Sequence, residues 1–117
     1  MLDVTVERSK WGRGSGSEGS YLLHPINGMM CCVGFACLAA GLSLEEITGT
    51  DTVTNLLTTG RVNGIPEPLR KLVAGRTNSN IATALYQTND AWSSEATREA
   101  NLTTLGLEAG IKFTFVD

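Results

Sequence analysis

Residues 29–41 read MMCCVGFACLAAG, and nothing charged or strongly polar occurs in this stretch. A helix that is apolar on every side has to be buried on every side. We therefore predict a buried helix over about 29–40, ended by Gly41, since glycine is favoured just after a helix. The remainder of the chain must supply the cover for this helix.

The two ends of the chain alternate apolar and polar residues, which is the period of a half-buried strand. We predict an α+β fold in which an antiparallel sheet of about three to five strands includes both termini and packs on the buried helix. A short strand is also predicted at Tyr21–His24, before Pro25. The apolar positions of the terminal strands are Leu2, Val4, Val6, Ile111, Phe113 and Phe115.

Capping signals predict two further helices. Ser43 and Glu46 form a capping box, which predicts a helix of about two turns. Ser93 or Ser94 is the predicted cap of a C-terminal helix over about 94–109, with Glu95 in its first turn. Residues 52–63 fit a helix and a strand equally well, so the structure of residues 50–77 stays open at this stage.

Length and composition limit the classes of function. A chain of 117 residues with 42% hydrophobic residues suits a single domain over 1–117. A net charge of −3 argues against nucleic acid held by bulk electrostatics. The start of the chain lacks the apolar core of a signal peptide, and the apolar run at 29–42 is too short to span a bilayer. We expect a cytoplasmic protein with no membrane partner.

Cys31, Cys32 and Cys37 lie close together in the apolar stretch, and His24 is the single histidine. Their spacing fits no zinc pattern, so we expect no metal and no cofactor, with the thiols buried as small hydrophobic groups. The alternative is a hydrolase or transferase in which Cys31, near a helix start, is the nucleophile and His24 its base.

A second alternative is a DNA-binding regulator. Residues 36–47, ACLAAGLSLEEI, have the rhythm of two helices joined at a glycine, as in a helix-turn-helix. The second of these helices would begin with Glu45 and Glu46, whose carboxylates repel phosphates. Binding to nucleic acid is therefore the less favoured prediction.

A basic, glycine-bearing segment near the start is the main candidate for a binding site. Arg8, Lys10 and Arg13 surround Trp11, and Gly14 follows. Arginine binds phosphate through two parallel hydrogen bonds, and tryptophan offers a face on which a base can stack. The alternative is that the tryptophan packs on the sheet edge and the segment is a solvated loop.

Asn89 and Asp90 are predicted to form the second wall of this site. A polar pair between two helical stretches can present an amide and a carboxylate to a base or to ribose hydroxyls. The charged, aromatic and amide groups together favour a non-catalytic protein that binds a small nucleotide-like ligand, and a homo-oligomer is a further possibility. The sequence carries no paired acids and no metal cluster that would favour an enzyme.

Four segments of the chain resemble small accessory proteins of tailed bacteriophages and prophages. They are SKWGRG at 9–14, SYLL at 20–23, NGMMCCVGFACLAAGLS at 27–43 and TREANLTTLGLEAGIKFTFVD at 97–117. In that family a W-x-R-G segment precedes a helix similar to DGKMCCLGF and an ACG ending. This chain departs from the pattern at Asn27, Met29 and Ala40, where the family has Asp, Lys and Cys.

The resemblance implies a setting rather than an activity. It implies a phage accessory protein in the cytoplasm of the host bacterium. Small phage proteins of this kind counteract host defence by sequestering a nucleotide signal or by binding a host defence protein. The implied partners are therefore a small nucleotide-like ligand or a host protein.

Overall fold

The first and last strands of the chain lie side by side as a parallel pair. β1, Leu2–Glu7, pairs with β2, Ile111–Val116, and Leu2 lies opposite Ile111. The prediction that both ends form strands of one sheet is confirmed. The predicted antiparallel sheet of about three to five strands is wrong, since the sheet within the described residues has two parallel strands.

The computed structural model describes residues 1–13, 20–73, 79–91 and 93–117. Between the two strands the chain is mainly helical, so the fold is a small α+β domain. In chain order, the elements are a 3₁₀-helix at Arg8–Lys10, α1 at Cys32–Ala39, α2 at Leu44–Ile47, α3 at Val53–Thr58, a second 3₁₀-helix at Glu67–Leu72, α4 at Ser79–Asp90 and α5 at Glu95–Glu108.

The last helix sets the direction of β2. Its 14 residues span about 21 Å at the α-helical rise, and Gly110 turns the chain with a φ of +79°. The amide of Leu2 donates to the carbonyl of Gly110 at 3.0 Å, so β2 starts beside the start of β1 and runs the same way. Apolar–polar alternation is the same in parallel and antiparallel strands, so the sequence pattern could not distinguish them.

α1 is the buried helix that the apolar stretch predicts, although it begins at Cys32 rather than at about 29. Its residues from Cys32 to Cys37 are all buried. A Cβ on Gly34 would lie 1.9 Å from the carbonyl oxygen of Leu22, so this face of the helix lies directly on backbone. Glycine is required at this position because any side chain would push the two segments apart.

The segment at Tyr21–His24 is not a strand, contrary to the prediction. Leu23 forms a single bridge with Thr48, and the amide of Leu22 donates to the carbonyl of Thr50 at 2.8 Å. Pro25 has no amide proton and cannot extend such pairing.

The two capped helices are confirmed, with one difference in length. The capping box of α2 is present, because Ser43 Oγ accepts the amide of Glu46 and Glu46 Oε1 accepts the amide of Ser43. α2 has only four residues, however, rather than the predicted two turns. Ser94 caps α5 by accepting the amide of Thr97 at 3.2 Å, close to the predicted start.

Among the described residues that the sequence left open, two short helices form. α3 and the second 3₁₀-helix bury Val53, Leu56, Leu69 and Leu72 against the rest of the core. The buried apolar residues form a single cluster that extends from β1 to β2. The radius of gyration is 12.7 Å, which matches the value of about 13 Å expected for one domain of this size.

Candidate functional site

The two walls of the predicted site meet in the structure. Trp11 Nε1 donates a hydrogen bond of 2.7 Å to Asn89 Oδ1, although 78 residues separate them in the chain. Trp11 follows the 3₁₀-helix after β1, and Asn89 lies in the last turn of α4. The sequence therefore identified two segments that the fold brings into direct contact.

Asn89 is fully buried, and both ends of its amide are engaged. Its Oδ1 also accepts the amide of Cys32 at 3.0 Å, and its Nδ2 donates to the carbonyl of Gly12 at 3.0 Å. The first amides of a helix need acceptors, and Cys31 at the N-cap of α1 supplies none from its side chain. Asn89 thus caps α1 from another helix, which is a structural role.

Asp90 holds Ser20 beside Gly12. Ser20 donates to this carboxylate twice, from its amide to Oδ2 at 3.0 Å and from its hydroxyl to Oδ1 at 2.7 Å. The same hydroxyl is 2.9 Å from the carbonyl of Gly12. Gly14, which was also predicted to bind the ligand, lies outside the described residues.

The ring of Trp11 is not an open stacking face, which corrects the role predicted for it. Its side chain is 1% exposed. The ring of Phe115 packs on it with a centroid separation of 4.9 Å, and the Arg13 guanidinium carbon lies 4.4 Å from its centroid. The alternative, in which the tryptophan packs on the sheet, describes the structure. A ring with partners already in place cannot also stack on a base.

Arg8 and Lys10 each lie beside a carboxylate. Arg8 donates from Nε and Nη2 to both carboxylate oxygens of Glu99 at 2.8 Å, and from Nη1 to Asp117 at 2.9 Å. These hydrogen bonds raise the pKa of Arg8, and the guanidinium lowers the pKa of Glu99 below its usual range. Lys10 lies 3.6 Å from a carboxylate oxygen of Glu7.

Arg13 differs from these two cations because it belongs to a cluster that is not fully satisfied. Its Nη1 lies 3.4 Å from Glu95 Oε2. That contact lacks the geometry of a hydrogen bond, so the buried Nη1 has no hydrogen-bond acceptor. Arg98 Nη1 donates to the other oxygen of Glu95, and its Nη2 donates to the carbonyl of Ala91.

Arg98 itself is 8% exposed, and its Nε also has no hydrogen-bond partner. We refer to Arg13, Arg98 and the Glu95 carboxylate between them as the arginine cluster. Only these two arginines contribute buried side-chain polar atoms without a partner, among the atoms of the described residues. Buried polar groups are normally hydrogen-bonded, so both N–H groups mark a place where an acceptor is missing.

Glu95 was predicted only as a residue in the first turn of the helix, and Arg98 was not among the predicted site residues. A signal for Arg98 was present. It lies one turn before Leu102 on the apolar stripe of α5, and both side chains are buried. A charged residue on an apolar helix face has to find partners inside the protein, so this position should have been a candidate.

Cys31 lies at the N-cap of α1, but the structure gives it neither access to solvent nor a lowered pKa. The side chain is buried, and burial raises the pKa of its thiol to about 12. His24 Nδ1 accepts the backbone amides of Ile26 at 3.1 Å and Asn27 at 3.3 Å, so the nitrogen that would act as base is engaged in its own turn. A reactive cysteine needs a lowered pKa and access to solvent.

The helix-turn-helix alternative gains no support from the geometry. The helix that would read DNA is α2, which has four residues and carries Glu45 and Glu46 in its first turn. Four residues form about one turn, too short to place several side chains along a groove.

No family model, no curated protein and no solved structure matches the chain. Among the described residues, no helix is long and apolar enough to cross a membrane. Nor do the described ranges bring together three or more side chains of the kind that bind metals.

Proposed function

We propose that this chain is a non-catalytic binding protein that takes the phosphate, or another anionic group, of a small ligand at the arginine cluster. The observation that carries the proposal is the pair of buried N–H groups, on Arg13 Nη1 and Arg98 Nε, that have no hydrogen-bond acceptor. A buried donor without an acceptor costs about 1–3 kcal/mol. A ligand with several acceptor oxygens would remove that cost.

The position of Glu95 supports displacement by an incoming anion. Its carboxylate lies between the two guanidinium groups, in the position that the oxygens of a bound anion would take. The side chain is 51% exposed, so its carboxylate can turn into solvent while the incoming anion takes its place beside Arg98, which is 8% exposed. The cluster also lies at the N-terminus of α5, where the helix dipole favours negative charge.

The class of ligand follows from the chemistry of the cluster. Arginine pairs bind phosphate in a planar, two-bond arrangement, which favours nucleotides and other phosphorylated small molecules. The base of such a ligand would bind outside the ring of Trp11, whose faces are covered. The proposed setting is the cytoplasm of a host bacterium, where a phage accessory protein counteracts defence. That setting rests on the resemblance to phage proteins alone.

Thermal denaturation in the presence of inorganic phosphate, nucleoside phosphates and cyclic dinucleotides tests the proposal. A ligand at a hundred times its dissociation constant should stabilise the fold by about 2.7 kcal/mol. Arg13→Ala should weaken binding at least tenfold, because it removes a charge-assisted hydrogen bond worth about 1.5–3 kcal/mol. Glu95→Gln should bind the same ligand more tightly, because the competing charge is gone.

Arg61→Ala is the matched control. Arg61 is exposed and donates to the carbonyl of Glu45, away from the arginine cluster. This variant should bind as the unchanged protein does. Equal loss of affinity in Arg61→Ala and Arg13→Ala would show binding by overall charge and overturn the proposal. Absence of binding by every phosphate compound would overturn it as well.

A host protein as the partner is the second candidate, and the turn at residues 24–29 favours it. Ile26 is 89% exposed at the tip of this turn. Besides the two bonds to His24 Nδ1, Gly28 donates to the carbonyl of His24 at 3.0 Å, and Met29 donates to Asn27 Oδ1 at 2.8 Å. A preorganised apolar tip loses little entropy when it enters a pocket. Affinity capture from bacterial lysate should lose its specific protein when Ile26 is replaced by Asp.

A further inference from the structure

The sheet presents unpaired backbone groups along both of its outer edges. In a parallel pair, every second residue of a strand directs its backbone N–H and C=O toward the partner strand. The bond from the amide of Leu2 to the carbonyl of Gly110 fixes which residues those are. In that alternation the backbone groups of Phe113 and Phe115 face away from β1. No residue in the described part of the chain forms a hydrogen bond with them along that edge. Unpaired edges of this kind are templates for a further strand.

The outer face of the sheet is also open, which is unusual for parallel strands. Thr5 and Thr114 lie opposite each other on this face, and both are exposed. Parallel sheets are ordinarily covered on both faces, and small sheets are stable when more strands extend them. Added strands should therefore stabilise this two-stranded parallel sheet.

We propose that β2 is the dimer edge of this protein, where a second copy of the chain pairs antiparallel with it to form a four-stranded sheet. A two-fold dimer brings the same edge of both copies together, and two identical strands related by a two-fold axis perpendicular to them run antiparallel. The two edges of the sheet can therefore be compared by the charges and the contacts that self-pairing would bring together.

The charges of β1 oppose self-pairing. The residues of β1 whose backbone groups face away from β2 are Asp3, Thr5 and Glu7, and all three are exposed. In the register that uses all of them, Asp3 of one copy lies opposite Glu7 of the other. Like charges directly opposite each other destabilise a strand pair. Acidic residues at these positions protect the β1 edge from a second copy.

The charges of β2 permit self-pairing. The carbonyl of Ile111 lies against α5, where a Cβ on Gly106 would be 2.8 Å from it. Phe113 and Phe115 are therefore the residues whose backbone groups can pair with a second copy. Phe113 of one copy then lies opposite Phe115 of the other. Thr114 then faces its own symmetry mate across the two-fold axis, and Lys112 faces Val116. No like charges meet in this register.

Sedimentation equilibrium of the full chain, over a hundredfold range of concentration, tests the proposal. The unchanged protein should form dimers. Thr114→Lys and Thr114→Glu should each weaken the dimer more than tenfold, because each places like charges at the two-fold axis. An equimolar mixture of the two variants should form a mixed dimer, which shows that both are folded.

Thr5→Lys is the matched control, because Thr5 lies on the same face but on β1. It should leave the dimer intact. A protein that stays monomeric over the whole range would overturn the proposal. Loss of the dimer in Thr5→Lys would show that β1 lies in the dimer interface and would also overturn the proposal. A dimer that persists in Thr114→Glu would overturn it as well.

Discussion

Trp11 Nε1 and Asn89 Oδ1 are joined by a buried hydrogen bond of 2.7 Å, and the same oxygen accepts the first amide of α1 from Cys32. One side chain of α4 thereby connects the segment after β1 with the start of the buried helix. The Arg13 guanidinium lies over the Trp11 ring and reaches Glu95 on α5. The polar interior and the arginine cluster are therefore parts of one continuous arrangement.

Asn89→Ala should destabilise the protein by about 3 kcal/mol or more. The substitution leaves two buried donors, Trp11 Nε1 and the amide of Cys32, without an acceptor, at about 1–3 kcal/mol each. The free energy of unfolding from urea denaturation measures the loss.

Gln87→Ala serves as the control for Asn89→Ala, because Gln87 is exposed on the same helix. It should change the free energy of unfolding by less than about 0.5 kcal/mol. Trp11→Phe should lie between the two, since it keeps an aromatic ring and removes one donor. Asn89→Ala with the stability of the unchanged protein would contradict the role of Asn89 as the cap of α1.

The sequence predicted best those elements that a periodic pattern or a cap defines. The apolar stretch predicted α1, a serine cap at 93 or 94 before Glu95 predicted α5, and alternation predicted both terminal strands. Strand direction was wrong, because it depends on where α5 returns the chain, and no local pattern records that. The predicted strand at Tyr21–His24 was wrong for the same reason, since strand pairing depends on partners that are distant in the sequence.

At the candidate site, the sequence predicted which segments matter but not what their side chains do. Trp11 and Asn89 were placed on facing walls, and they do meet. Exposure decides whether a ring stacks on a ligand or on the core, and a single sequence does not report exposure. The unsatisfied N–H of Arg98 depends on three-dimensional geometry at α5, which the residue types do not contain.

Gly34→Ala should destabilise the protein by about 2 kcal/mol or more, toward the upper end of the usual cost of overpacking. The added Cβ would lie 1.9 Å from the carbonyl oxygen of Leu22, and backbone rather than a flexible side chain would have to move. Urea denaturation measures the effect, and a crystal structure would show α1 displaced from Leu22.

The control for this substitution is Gly64→Ala, because a Cβ at Gly64 meets nothing within 4 Å. It should be neutral or slightly stabilising, as alanine restricts the unfolded chain. Equal effects at the two glycines would show that the approach of α1 to Leu22 is not close enough to matter.

The ion pair between Arg8 and Glu99 should make stability depend on pH. The guanidinium lowers the pKa of Glu99 from its usual value of 4.5 in the folded state. Stability from this pair is therefore complete above the unfolded value and is lost as the pH falls through the folded value. Arg8→Ala should reduce the free energy of unfolding at pH 7 and matter less at about pH 3.

Lys10→Ala is the comparison for Arg8→Ala. Lys10 is exposed and lies 3.6 Å from Glu7, so its pair is screened by solvent. Its removal should have little effect at either pH. A destabilisation in Arg8→Ala that is the same at neutral and acid pH would show that packing of the arginine stem, not its charge, stabilises the fold.

The three cysteines should react with a thiol reagent only through unfolding. Burial raises the pKa of Cys31 to about 12, and Cys32 and Cys37 are also buried. The native protein should label slowly at neutral pH, whereas all three thiols should label quickly in urea. Asn89→Ala should accelerate labelling more than about a hundredfold for a destabilisation of about 3 kcal/mol or more, because labelling follows the unfolded population. Rapid labelling of Cys31 alone in the native protein would contradict this and favour the cysteine enzyme.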